Sequence, residues 1–143
     1  GFEQAFRAAG LTVPGHLVRR ADLRQRGGYE AMRALLATRG RPTAVLVGNN
    51  LMTLGALQAI HEDCLTIPQD MAIIGFDDMP WAASLQPPLT VIAQPTFEMG
   101  VTAARLLLDR IENPDRPIRN VILDTRLIAR ASSCPKKETV TSG

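Results

Sequence analysis

Two short runs, Thr43-Ala44-Val45-Leu46-Val47 and Met71-Ala72-Ile73-Ile74, are apolar without a break. A strand with one wet face alternates apolar and polar residues, so unbroken runs of strand length mark a sheet covered on both faces. Helical patterns separate such runs along this chain. Gly27 to Arg39 carries Tyr29, Met32, Leu35 and Leu36 on one stripe. Leu51 to Cys64 is helical again and ends before the Ile67-Pro68 turn. Thr90-Val91-Ile92-Ala93 follows Pro87-Pro88, and a longer helix runs from Pro95 to about Ile111, stopped by Asn113-Pro114. His16-Leu17-Val18-Arg19 reads as an earlier strand, and Val121-Ile122-Leu123 and Leu127-Ile128-Ala129 as later ones. Strands alternating with helices join through right-handed crossovers into a parallel sheet. The expected fold is therefore α/β, an open parallel sheet with helices on both faces.

Composition narrows what such a sheet can do. The chain has 143 residues, 45% of them apolar and 21% charged, which is the balance of one soluble globular domain. A net charge of +2, fourteen scattered arginines and few aromatics give neither a phosphate-binding stripe nor a base-stacking platform. Cys64 and Cys134 form no close-spaced pair, and His16 and His61 have no companions at ligand spacing. Reduced thiols, no metal and no cofactor are expected. No apolar run reaches the length of a membrane span. Phe2, Ala5, Phe6 and Ala9 repeat at helical spacing with no capping residue ahead of them. The expectation is a chain that opens inside a helix, a fragment of a longer protein, with a flexible tail over 135–143.

Polar residues gather where strands end. The three clusters are Arg20-Ala21-Asp22, Gly48-Asn49-Asn50 and Gly75-Phe76-Asp77-Asp78. In an open parallel sheet the carboxyl ends of the strands line the ligand crevice. Asn50 and Asp78 read equally well as helix caps or turn formers, whereas Asn49 and Asp77 favour a binding role. A carboxylate beside a carboxamide suits adjacent hydroxyls, as on a sugar or nucleoside. No Walker motif, G-x-G-x-x-G or G-x-S-x-G occurs, and no nucleophile sits with a base, so an enzyme is not expected. Adjacent aspartates at a strand end also mark phospho-accepting receiver domains, but those need a lysine at a later strand end. Here Lys136 and Lys137 lie in the tail. The helix from Leu51 carries apolar or small residues nearly all round its axis. Either one side meets a partner chain, or alanine and glycine merely widen an ordinary stripe.

In order and spacing, several segments resemble the lactose/galactose-repressor family (LacI/GalR). They are Arg41-Pro42-Thr43-Ala44-Val45 through Gly48-Asn49-Asn50 to Gly55-Ala56-Leu57, and Ile67-Pro68-Gln69-Asp70 through Ile74-Gly75-Phe76-Asp77-Asp78. Pro87-Pro88-Leu89-Thr90, Gln94-Pro95 and the ending Arg126-Leu127-Ile128-Ala129-Arg130-Ala131-Ser132 complete the match, which runs to Cys134. The resemblance implies a periplasmic-binding-protein-like fold of two lobes with the effector between them. Residues 1–94 and 125–134 would form the carboxy-terminal lobe, and 95–124 would belong to the amino-terminal lobe. Asp77 matches the family's effector-binding aspartate and Asn49 its polar partner, with Asp22 and Leu23 alongside. Leu23 stands where members often carry a stacking aromatic, which argues against a stacked ring here. The family's effector-binding arginine falls ahead of Gly1.

Leu51, Leu54, Trp81 and Leu85 would lie in the family's dimer interface. The implied protein is a cytoplasmic homodimeric repressor that binds a sugar-like effector. It would meet operator DNA only through a helix-turn-helix absent from this chain. The rival reading is the sugar-binding protein of a transport system, a monomeric carrier of the same fold.

Overall fold

The computed structural model describes residues 1–134, so the expected tail over 135–143 lies outside the described residues. Among the described residues four α-helices occur: α1 (Phe2–Ala8), α2 (Gln25–Leu36), α3 (Asn50–Glu62) and α4 (Thr96–Glu112). The strands are β1 (Ala44–Leu46), β2 (Ala72–Phe76), β3 (Thr90–Ala93) and β4 (Arg126–Ile128), ordered β1-β2-β3-β4 in one open sheet. β1, β2 and β3 are parallel, with Leu46 opposite Ile74 and Phe76 opposite Ile92. β4 runs antiparallel on the β3 edge, so the sheet is mixed rather than wholly parallel.

The expected cover lies on one face. Val45, Ile73, Gly75 and Val91 share that face by register, and a Cβ on Gly75 would touch Thr53 of α3. Met32, Leu35, Leu57, Ala59, Ile60, Met71, Ile73, Leu89 and Val91 are among the residues that form the core there. On the opposite face Ile74, Phe76 and Ile92 are half-buried and Leu46 is exposed. Neither α1 nor α4 contains a buried residue.

Two expected strands are absent among the described residues. Gly15–Leu17 is a turn of 3-10 helix followed by extended Val18, and Val121-Ile122-Leu123 is irregular. Both segments have strand-forming side chains but no neighbour to complete a ladder, and a strand is defined by its pairing.

α2 and α3 approach closely because each offers a glycine to the other. A Cβ on Gly28 would collide with the backbone of Met52, and one on Gly55 with the backbone of Gln25 and Tyr29. Around this contact Arg33 pairs with Asp63, and the Tyr29 hydroxyl donates to Glu62 at 2.6 Å. That hydrogen bond holds the Glu62 carboxyl below its ordinary range. Leu51, Gln58 and His61 stay exposed, while Thr53, Gly55, Ala56, Leu57, Ala59 and Ile60 are buried. Small residues therefore widen the buried stripe of α3, and an apolar edge at Leu51 is left open.

Arg130 and Ser132 are stitched into the sheet by polar groups. Buried Ser132 donates from Oγ to the Ile73 carbonyl at 2.7 Å and accepts from the Thr90 amide at 2.8 Å. Thr90 Oγ1 accepts from the Arg130 amide and donates to the Arg130 carbonyl.

Two expectations for stability follow. Gly28→Ala should destabilise by about 3 kcal/mol, the upper end of overpacking costs, because the obstacle is backbone and not a movable side chain. Gly100→Ala in α4, where the new Cβ meets nothing within 4 Å, should be neutral or gain roughly 0.5–1 kcal/mol. Urea midpoints of the two variants distinguish these outcomes. Ser132→Ala strands a buried carbonyl and a buried amide, at about 1–3 kcal/mol for each unsatisfied group. Denaturation of that variant at the wild-type midpoint would mean that the stitch contributes nothing to stability.

Candidate functional site

Parallel pairing brings the loops after β1, β2 and β3 to one edge of the sheet. Asn49 stands three residues beyond Leu46 and Asp77 three beyond its partner Ile74, so the two lie at the same level. The loop ahead of α2 joins them: Asn49 Nδ2 donates to the Leu23 carbonyl at 2.8 Å. The same side chain caps α3, its Oδ1 accepting from the Met52 amide at 2.8 Å. Asn49 is thus a helix cap and a loop anchor at once, with both ends of its carboxamide engaged.

Asp22 and Leu23 sit in that anchored loop. Asp22 Oδ1 accepts from the Arg24 amide at 3.0 Å, an Asx-type turn that leads into α2. Leu23 adopts φ +64° and is 61% exposed at the edge. A leucine in the left-handed region is unusual, because its Cβ crowds the following carbonyl.

The adjacent aspartates after β2 differ sharply. Arg130 takes both oxygens of Asp78, NH1 to Oδ1 at 2.8 Å and NH2 to Oδ2 at 3.0 Å, and also donates to the Leu89 carbonyl. A planar guanidinium fork on a carboxylate is a strong and geometrically specific pair. Asp77 turns the opposite way. Its φ is +69°, its amide donates to the Ile92 carbonyl, and its carbonyl accepts from the Met79 amide. Its Oδ1 accepts from Gln94 Nε2 at 2.6 Å, and no hydrogen bond reaches Oδ2 among the described residues. Asp77 is a half-buried carboxylate with one oxygen held and the other available.

Sequence reasoning used Gln94-Pro95 as part of the family resemblance and did not single out Gln94 as a site residue. The available signal was its place two residues beyond Ile92 on the edge that already held Asn49 and Asp77.

The four apolar residues assigned to a partner surface do not form one uniform patch. Leu51 is 47% exposed, whereas Leu54, Trp81 and Leu85 are half-buried. Trp81 lies on a 3-10 turn at Pro80–Ala83, and Leu85 lines a small depression with Leu57 and His61 of α3. Among the described residues no cluster of three or more His, Cys, Asp or Glu could hold a metal. No helix among them is long and apolar enough to cross a membrane.

The edge that carries this available carboxylate is the carboxyl edge of an open α/β sheet, where folds of this kind take their ligands. The family model of a periplasmic binding protein-like domain matches residues 1–133, and the chain belongs to that family. Its relatives there are LacI-type regulators. It is 39% identical over 133 residues to the ribose operon repressor of Escherichia coli (strain K12), covering 93% of this chain and 40% of that protein. It is 40% identical over 132 residues to the transcriptional repressor PurR of Escherichia fergusonii, covering 92% of this chain and 39% of that protein. The chain thus spans about 40% of the length of the curated relatives it matches.

Among solved structures, the transcriptional regulator CelR–cellobiose complex superposes with a TM-score of 0.86 at 36% identity, covering 92% of this chain and 40% of that one. A LacI family regulator from Enterococcus faecium with bound ribose gives 0.79 at 33% identity, covering 95% of this chain and 50% of that one.

Proposed function

We propose that this chain is the effector-sensing and dimerisation module of a LacI-type DNA-binding transcription regulator. Its ligand is a small polar molecule, a sugar or related metabolite, taken at the carboxyl edge of the sheet. The observation that carries the reading is the unequal fate of two neighbouring aspartates. Arg130 consumes Asp78, whereas Asp77 keeps an oxygen for a hydroxyl donor. The ribose and cellobiose in the related regulators agree with that chemistry. Asn49 then contributes by fixing the Leu23 loop, and Asp22 by turning it.

Residues 1–94 and 125–134 act as the carboxy-terminal lobe, and 95–124 pack with the other lobe. The exposure of Phe97 (82%) and Ile122 (91%) supports that division. Operator DNA is met through a helix-turn-helix outside this sequence, in the cytoplasm, by a homodimer. Leu51 and Leu54 of α3, with Trp81 and Leu85, supply the dimer seam. No catalytic role is assigned to any residue. The transport-protein reading is disfavoured because the curated relatives above are repressors.

In the full-length protein, Asp77→Ala should weaken ribose or cellobiose binding by roughly 1.5–3 kcal/mol, the range for a hydrogen bond to a charged group. Asp78→Asn should leave affinity nearly intact and lower stability instead. Calorimetry returning the reverse pattern, or no binding of either sugar, would overturn the assignment.

For the dimer, Leu54→Asp places a carboxylate in apolar surface worth about 25 cal/mol per Å² when buried, and should give monomers. Sedimentation finding the unmutated chain monomeric at high micromolar concentration counts decisively against the seam.

A further inference from the structure

A cavity of about 270 Å³ lies at the carboxyl end of α4, where the chain after Asn113 folds back on the helix. An α-helix rises about 1.5 Å per residue, so Arg110 stands roughly 20 Å along α4 from the Gln94-Pro95 end and the strand edge. Leu106 and Ile118 belong to its apolar wall, and Asp109, Arg110, Arg116 and Arg119 are its polar groups. Three guanidiniums meet one carboxylate there. Asp109 bridges two of them, Oδ1 accepting from Arg116 NH1 and Oδ2 from Arg119 NH2 at 2.7 Å. Half-buried Arg110 donates from NH1 to the Pro114 and Arg116 carbonyls, at 3.0 and 2.7 Å. Each guanidinium thus commits one nitrogen. Among the described residues no acceptor reaches the remaining nitrogens of any of the three.

The charges in this cavity do not balance. One carboxylate against three guanidiniums leaves two positive charges, of which the carboxyl end of α4 offsets about half of one. Glu112 and Asp115, the acids nearest in sequence, do not line the cavity. Asp109 acts instead as a template, since it holds two guanidiniums side by side and has both of its own oxygens in use. Guanidiniums held in place with unused donors suit a phosphate group, which they bind through paired N–H bonds. Charge then selects among anions. A carboxylate or a phosphodiester brings one negative charge, whereas a phosphate monoester brings about two at neutral pH. We propose that this cavity binds a small phosphate monoester, with Arg110, Arg116 and Arg119 as its anion-binding residues. The site is separate from the strand edge and does not depend on the effector reading.

Calorimetry at constant ionic strength tests the charge match, with methyl phosphate, dimethyl phosphate and acetate as probes. At about pH 8 the monoester is dianionic and the other two carry one charge each. In the 143-residue chain, methyl phosphate should bind saturably and roughly tenfold more tightly than either monoanion, the scale of one hydrogen bond between charged groups. Arg116→Gln and Arg119→Gln should each weaken it by roughly tenfold and leave the urea midpoint near that of the wild type. Arg26→Gln removes an equally exposed positive charge, paired with Glu30 on α2, and should change nothing. Equal affinity for the three anions, which needs no variant to observe, overturns the proposal. So does an equal loss in Arg26→Gln and Arg119→Gln, because attraction to net charge would then explain the binding. In the full-length protein, methyl phosphate should bind equally well with and without ribose. Displacement by ribose, or binding that vanishes in the full-length protein, also overturns the assignment.

Discussion

Two glycines on facing helices set the distance between α2 and α3, and the candidate site inherits its geometry from that distance. Gly28 lets the backbone of Met52 into contact with α2, and Gly55 does the same for the first turn of α2 against α3. Met52 is also the residue whose amide Asn49 caps, and Gln25 lies two residues after Leu23, whose carbonyl Asn49 holds. The core contact and the loop anchor are therefore neighbouring parts of one assembly. A helix pushed outward by a single methyl would pull the Leu23 loop away from the strand edge. Interiors as dense as those of proteins offer little room to absorb such a shift.

The other end of the site depends on the chain's carboxy-terminal segment. Ser132 and Thr90 tie residues 130–133 to the middle of the sheet, which places the Arg130 fork over Asp78. With Asp78 neutralised, the net charge presented beyond β2 comes from Asp77. Two aspartates side by side would otherwise repel each other and bind cations as readily as hydroxyls. The ending Arg-Ala-Ser thus has a physical task as well as a familial likeness.

Much of this was legible in the sequence, and the failures share a cause. β3 spans Thr90–Ala93 as read from its apolar run, and β1, β2, α2, α3 and α4 fall within a few residues of their expected bounds. Periodicity reports burial, and these elements are buried or carry a one-sided pattern. His16–Arg19 and Val121–Leu123 have the same composition but depend on a neighbouring strand, which a local pattern cannot report. The antiparallel direction of β4 was hidden for the same reason, since a three-residue run has no polarity of its own. At the site, the types and edge positions of Asn49, Asp77 and Asp22 could be read off. Their partners could not, because Asp77–Gln94 and Asp78–Arg130 join residues 17 and 52 positions apart.

Leu23 shows why the loop anchor matters energetically. Holding a leucine at φ +64° costs about 1–2 kcal/mol relative to the right-handed region. A single neutral hydrogen bond, such as that from Asn49 to the Leu23 carbonyl, contributes only about 0.5–1.5 kcal/mol net. The two terms are of similar size, so Asn49 alone barely offsets the conformation it accompanies. The Asx turn of Asp22 must add to it, and so must the seat of Gly27 against the Asp22 side chain, where a Cβ would collide. Asp77 faces a smaller cost at φ +69°, because a short polar side chain tolerates the left-handed region better. The strand edge therefore holds one residue whose backbone is comfortable where it stands and one whose backbone is not.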